Sequence, residues 1–368
     1  MNSDSNRNIS GPALSASTFR TTQRLAQGDA RSLRSIPASS IDLVVTSPPY
    51  PMVEMWDPLF ASLSPTIRDA LARKDGREAY EQMHRTLDAA WRELARVVRP
   101  GGRVCINVGD STRSMGGTFE LYPNHARIIQ AMLCQGFSML PGILWCKPTN
   151  KPTKFLGSGM LPPDAYATLE HEHILTFRRG PPRRAPASAT RERRQSSYFW
   201  EERNRWFCDV WTDLRGKRQS AFAPPGSRTA AFPLELPYRL ILMHSIQGDR
   251  VLDPFLGSGT TALAAACTGR NMVGIDHVEA MVDRAKERLL QSLPELRERV
   301  RERLSTHRAF VRSREREGKP LRYRSVHYGF PVVTSQETSL CLPVPIRIAT
   351  VAGALVEVEY TFPRKHSP

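Results

Sequence analysis

Acidic residues are the scarce class in this sequence: 36 Asp and Glu stand against 52 Lys and Arg in 368 residues, a formal charge of +16. The deficit points to a polyanionic partner, most simply nucleic acid, although a GC-rich genome also enriches arginine. Cysteine is sparse as well. The six cysteines (Cys105, Cys134, Cys146, Cys208, Cys267, Cys341) are scattered, with no CxxC pair and no Cys/His finger spacing. That excludes a disulfide framework or a zinc finger as the organising device and fits a reducing cytoplasm. No apolar run approaches the ~20 residues of a membrane span, and Met1 to Ser10 lack the apolar core of a signal peptide. Internal repeats are absent. What is present, 40% hydrophobic residues, suffices to bury the core of one large domain with appendages, or of two.

Apolar β-branched runs alternate with amphipathic stretches. Ile41–Val45, Arg103–Val108, Ile143–Trp145, Arg250–Asp253 and Met272–Asp276 read as buried strands, and Tyr80–Val98, Ala126–Cys134, Leu236–His244 and Thr261–Thr268 as helices. This alternation predicts an α/β fold with a doubly wound, mostly parallel sheet. Residues 1–22, rich in Ser, Asn and Thr, read as a mobile tail before a first half spanning 23–177. The rhythm fails over 178–228, where nine arginines lie between Arg178 and Arg205, interleaved with Tyr198, Phe199, Trp200 and Trp206. It resumes over 229–291. Residues 292–368 hold a charged helix, opened by what reads as a capping box at Ser292–Glu295, and a β-rich tail including Ile346–Ile348 and Leu355–Tyr360.

Two stretches carry chemistry. Asp253-Pro254-Phe255-Leu256-Gly257-Ser258-Gly259-Thr260-Thr261 follows a predicted strand, and its glycines let a ligand approach the backbone at the strand-to-helix turn. Asp276, at the end of the next strand, is placed to accept hydrogen bonds from two ribose hydroxyls. No Lys follows the glycines and the full GxGxxG is missing, which excludes a Walker loop and a standard dinucleotide fingerprint. An acid at Asp253 suits a cationic ligand better than a pyrophosphate. The second stretch, Ser47-Pro48-Pro49-Tyr50, interrupts a buried strand. By itself it also reads as a rigid turn. Functionally, a Ser hydroxyl and a Pro carbonyl, locked by fixed φ, could accept both hydrogens of an exocyclic amine and aim its lone pair at a methyl donor. Tyr50 could stack on a base taken out of the duplex.

Together these stretches resemble the S-adenosylmethionine-dependent DNA amino-methyltransferases. Ser47–Tyr50 matches their catalytic (S/N/D)PP(Y/F/W) motif, Asp253–Thr261 their cofactor loop, and Gly274-Ile275-Asp276 their ribose-binding strand. The order resembles the circularly permuted β-group, whose basic insert is the target-recognition region. The resemblance spans roughly residues 24–290 and implies a Rossmann-like methyltransferase fold that binds S-adenosyl-L-methionine and double-stranded DNA. It further implies that Asp29 meets the cofactor's adenine, that Phe232 and Pro233 close over its methionine end, and that Asp253, Phe255, Gly257, Gly259, Thr260 and Asp276 form the rest of the pocket. Arg191, Arg193, Arg194, Arg203 and Arg205 become candidate DNA contacts, with a cognate restriction endonuclease as a further partner and a nucleoid-associated location. Ser at position 47 usually accompanies cytosine N4 methylation in the family, whereas Asp accompanies adenine N6, the alternative here. Cytosine C5 chemistry needs a Pro-Cys dipeptide, which is absent. A silent DNA-binding protein on the same fold is the alternative of another class.

The remaining features have plainer readings. His171 and His173 share a strand face at i, i+2, without a third ligand in the nearby sequence, so no metal is expected. The charged helix beginning near Glu295 reads as a solvent-exposed strut, with DNA backbone contact or dimerisation as its alternative. The β-rich tail is assigned accessory packing only.

Overall fold

The computed structural model describes residues 19–147, 156–183, 190–216, 232–319 and 321–363. Ten strands form its main sheet: β1 (Phe19–Gln27), β2 (Ile41–Thr46), β3 (Val98–Val108), β4 (Phe137–Cys146), β5 (His171–Arg179), β6 (Val210–Trp211), β7 (Arg250–Asp253), β8 (Asn271–Asp276), β9 (Val344–Ala352) and β10 (Leu355–Thr361). Their order is β6-β4-β5-β3-β2-β7-β8-β1-β10-β9. Pairings from β3 through β2, β7 and β8 to β1 are parallel. Side chains on the two sheet faces feed separate cores. Leu43, Val45 and Cys105 belong to one; Val44, Val104 and Ile106 belong to the other. Two buried faces explain why these strands read as continuous apolar runs.

Helices flank the sheet, among them α1 (Gly76–Val97), α2 (Asn124–Cys134), α3 (Thr190–Gln195), α4 (Trp200–Trp206), α5 (Glu235–His244), α6 (Thr260–Thr268), α7 (Glu279–Gln291) and α8 (Leu293–Arg316), and a short helix over Asp57–Leu63 also reaches the site. α1 buries Met83, Leu87, Ala90, Trp91 and Leu94 on one stripe, as its spacing predicts. α6 is buried along its whole length, consistent with its Ala-rich sequence.

Several expectations are corrected. The first strand begins at Phe19, inside the tail proposed to end at residue 22; residues 1–18 lie outside the described residues. β5 runs antiparallel to both β3 and β4, so its first residues reach the edge where β3 and β4 end. The insert is tied to the sheet: β6 pairs with the β4 edge. Its aromatics are largely structural. Phe199 and Trp206 are buried, and Phe199 stacks on His307 of α8 with centroids 3.9 Å apart.

α8 is therefore no free strut. It buries Leu296, Val300, Arg303, His307 and Val311, and Arg303 donates to Glu202 of α4 at 2.6 and 2.8 Å. Ser292 is no cap either: it takes a helical conformation, and its hydroxyl donates to the Leu289 carbonyl at 2.7 Å. Pro294 does stand in the first turn, as expected. The β-rich tail extends the sheet, since β10 pairs antiparallel with β1. Among the described residues no helix is long and apolar enough to cross a membrane.

Candidate active site

Parallel strands deliver their C-terminal ends to one edge, and in open α/β sheets ligands bind there. At that edge a cleft of about 360 Å³ opens between the turn after β2 and the turns after β7 and β8. Ser47 and Pro49 line it together with Asp253, Phe255, Gly257 and Asp276; Asp29, Phe232 and Thr260 are also part of the wall, as are Trp56, Leu59 and Phe60. The two stretches singled out from sequence, about two hundred residues apart, thus share one cavity.

The glycine turn is held from below. Gly257 takes φ +51°, and a Cβ there would meet only the Phe255 carbonyl at 3.9 Å, so its open side belongs to the cleft. Its N–H donates to Asp276 Oδ2 at 2.8 Å, while Val278 N–H donates to Oδ1 at 3.0 Å. Gly259 differs. It starts α6 at φ +76°, and a Cβ would come 2.7 Å from Ala285 Cβ. Its missing side chain serves packing against α7, and Gly259 does not line the cleft. Arg288 donates to the Ser258 carbonyl and to Thr260 Oγ1 at 3.1 and 3.2 Å, a brace that its place on a charged helix gave no means of detecting.

Asp253 is fully buried and accepts from Thr46 Oγ1 (2.6 Å), Thr261 Oγ1 (2.7 Å) and Phe255 N–H (3.1 Å). Burial outweighs these donors and pushes its carboxyl up to about 6. Asp29, on the turn after β1, is engaged by Arg31, whose guanidinium donates at 2.7 Å and whose backbone N–H donates at 2.8 Å. Those contacts hold its carboxyl below the ordinary range. Pro233 lies outside the cleft lining beside Phe232, and Ala231 falls outside the described residues.

Behind Ser47 lies a chain of polar groups. Its hydroxyl meets Tyr50 Oη at 2.9 Å, and Tyr50 donates to Glu172 Oε2 at 3.2 Å. Asn107 Nδ2 donates to Tyr50 Oη (3.0 Å) and to Glu172 Oε2 (2.6 Å), and Lys147 Nζ donates to Glu172 Oε1. Tyr50 itself does not line the cleft, and Pro48 is buried. Glu172 escapes a reading of the sequence because it arrives on β5, whose reversed direction no local pattern announces.

The same reversal brings His173 beside Asp110 and His125, so partners for it do exist. Asp110 Oδ2 meets His125 Nδ1 at 2.7 Å and His173 Nε2 at 3.8 Å. The two imidazoles, however, stack nearly parallel with centroids 4.0 Å apart. Asp110, His125 and His173 thus bring three potential ligand atoms within 4.8 Å of one another, where the sequence offered His173 no third partner nearby. Burial, then the neighbouring His125, pushes His173 down to about 4.

Among the arginines of the insert, Arg191, Arg193 and Arg194 lie exposed on α3. Arg203 lies over the Phe207 ring at 4.6 Å. Arg205 pairs with Asp213 at 2.8 Å, and Arg183 pairs with Asp249 at 2.8 Å; both remain exposed.

The family model described as DNA methylase, of the N6 and N4 type, matches residues 41–287. The type II methyltransferase M.MthZI of Methanothermobacter thermautotrophicus is 49% identical over 330 residues, covering 89% of this chain and 92% of that protein. M.MjaI of Methanocaldococcus jannaschii is 48% identical over 268 residues, covering 70% and 87%. The crystal structure of a DNA modification methylase from Thermus thermophilus, complexed with S-adenosyl-L-methionine, is 34% identical, with a TM-score of 0.58, and covers 74% of this chain and 95% of that one.

Proposed function

The chain belongs to the N6/N4 DNA methylase family, and we propose that it transfers a methyl group from S-adenosyl-L-methionine to the N4 nitrogen of a cytosine flipped out of duplex DNA. The carrying observation is the single cleft that Ser47 and Pro49 share with Gly257 and Asp276. The residues present fit the cofactor. Gly257 leaves space where a side chain would stand, and buried Asp253 sets negative charge at the wall facing a cation. An ionised Asp276 has about four acceptor positions. Two backbone N–H groups use part of that capacity, leaving room for two ribose hydroxyls.

When bound, the cofactor supplies a methyl group already activated by its sulfonium. The protein's work is to orient the amine. Ser47 Oγ and the Pro48 carbonyl accept its hydrogens and turn the lone pair away from the ring, while the two prolines hold these acceptors at low entropic cost. Pro49 fixes the turn, and Tyr50, held outside the cleft lining, supports Ser47 from behind instead of stacking on the base. The order of the motifs, catalytic turn before cofactor loop, supports the permuted β-group arrangement. Ser rather than Asp at position 47 favours cytosine N4 over adenine N6. Type II relatives favour a role beside a cognate restriction endonuclease.

Mass spectrometry of nucleosides from duplex DNA incubated with the protein and labelled cofactor tests this reading. N4-methylcytosine is expected. N6-methyladenine would transfer the assignment to adenine, and no incorporation would leave a silent DNA-binding protein. For DNA contact, replacing Arg191, Arg193 and Arg194 together by Gln should lower affinity about tenfold and flatten the slope of log affinity against log salt by up to about 3. An unchanged slope would move the phosphate contacts away from α3.

A further inference from the structure

We infer that Glu172 sets the direction of the hydrogen bonds running through Tyr50, so that Ser47 meets the target base as an acceptor only. A carboxylate has no hydrogen to give, and the Lys147 ammonium, itself only a donor, sits on Oε1. The 2.6 Å approach of the Asn107 amide to Oε2 fixes which end of that amide faces it, since its oxygen would be repelled. Asn107 Nδ2 then also donates to Tyr50 Oη. The Tyr50 hydroxyl must point its one hydrogen at Glu172. Burial, then the Glu172 charge, pushes that phenol well above its ordinary range, so the hydrogen is always there.

What remains at Tyr50 Oη is a lone pair, and the Ser47 hydroxyl at 2.9 Å donates into it. Every hydrogen in the chain therefore points away from the cleft. The lone pairs of Ser47 Oγ are left for the incoming base. An amino group satisfies them with its hydrogens, whereas a keto oxygen at the same place faces another acceptor without a hydrogen between them. Leaving buried polar groups unpaired in this way is what lets a site reject an analogue strongly. Glu172 is thus a positioning residue that selects amino-bearing bases, cytosine or adenine alike, over their keto counterparts.

This inference rests on the proposed methyl transfer, and its test separates the two. Equilibrium binding is measured, with S-adenosylhomocysteine present, for duplexes whose target cytosine is kept or replaced by uracil (or adenine by hypoxanthine, should adenine be the target). The wild type is expected to prefer the amino-bearing duplex by at least about tenfold. Glu172→Gln, whose side chain both donates and accepts, should lose most of that preference while S-adenosylmethionine affinity stays as it was. Tyr50→Phe, which cuts the chain while leaving Glu172 its bonds from Asn107 and Lys147, should lose it too and serves if the first variant does not fold. Equal discrimination by wild type and both variants overturns the inference, as does a wild type that binds both duplexes alike. Either result leaves methyl transfer standing if labelled methyl enters DNA; absence of that label removes the functional reading itself.

Discussion

Asp276→Ala should weaken S-adenosylmethionine binding by about 100-fold, roughly 2.7 kcal/mol, as read by isothermal calorimetry. Two losses combine. The carboxylate anchors the glycine turn through Gly257 N–H and Val278 N–H, and the proposed ribose contacts draw on the same oxygens. Hydrogen bonds to a charged group each contribute about 1.5–3 kcal/mol, so losing one ribose contact alone would approach an effect of this size. Asp276→Asn keeps one acceptor oxygen and should fall between the two, near tenfold. Cofactor affinity unchanged in the Ala variant would remove Asp276 from the site.

The site was legible where chemistry is written in contiguous residues. Ser47–Tyr50 and Asp253–Thr261 each combine a buried strand with the turn that ends it, and a parallel sheet must bring such turns to one edge. Their meeting in one cleft follows from that rule alone. Legibility failed where function depends on a strand's direction. Glu172 lies in an alternating segment identical in pattern whether β5 runs up or down the sheet; only its antiparallel pairing with β3 and β4 puts it behind Tyr50. The insert misled for a related reason. Aromatic residues among arginines look the same whether they face a nucleic acid or a helix one hundred residues later, and here Phe199 and Trp206 are buried, with Phe199 stacked on α8. Gly259 shows the limit of motif reading. It belongs to the motif, yet Ala285 rather than a ligand excludes its side chain.

Asp253 couples protein stability, pH and cofactor binding in a way that can be measured. Buried in the wall of the cleft, its carboxyl is held up to about 6 against an ordinary value of 3.8. The folded chain keeps the proton to about pH 6 while the unfolded chain releases it near 3.8. This group's contribution to stability is therefore intact in acid and lost as pH rises through 6. Above that window a buried charge without a cation opposes folding, by on the order of 3 kcal/mol. A cationic cofactor reverses the balance, because it favours the ionised form. Its affinity should accordingly rise with pH through the same window and level off near neutrality. Asp253→Asn can retain the local bonds: its oxygen accepts from Thr46 and Phe255, and its amide donates to Thr261, whose hydroxyl turns to accept. That variant should melt higher than the wild type at pH 8, with the advantage vanishing toward pH 4. Its cofactor affinity should be at least about tenfold lower at pH 8 and flat with pH. Wild-type affinity that does not change between pH 5 and 8 would mean that Asp253 acts only through its hydrogen bonds to Thr46 and Thr261, and that its charge has no part in holding the cation.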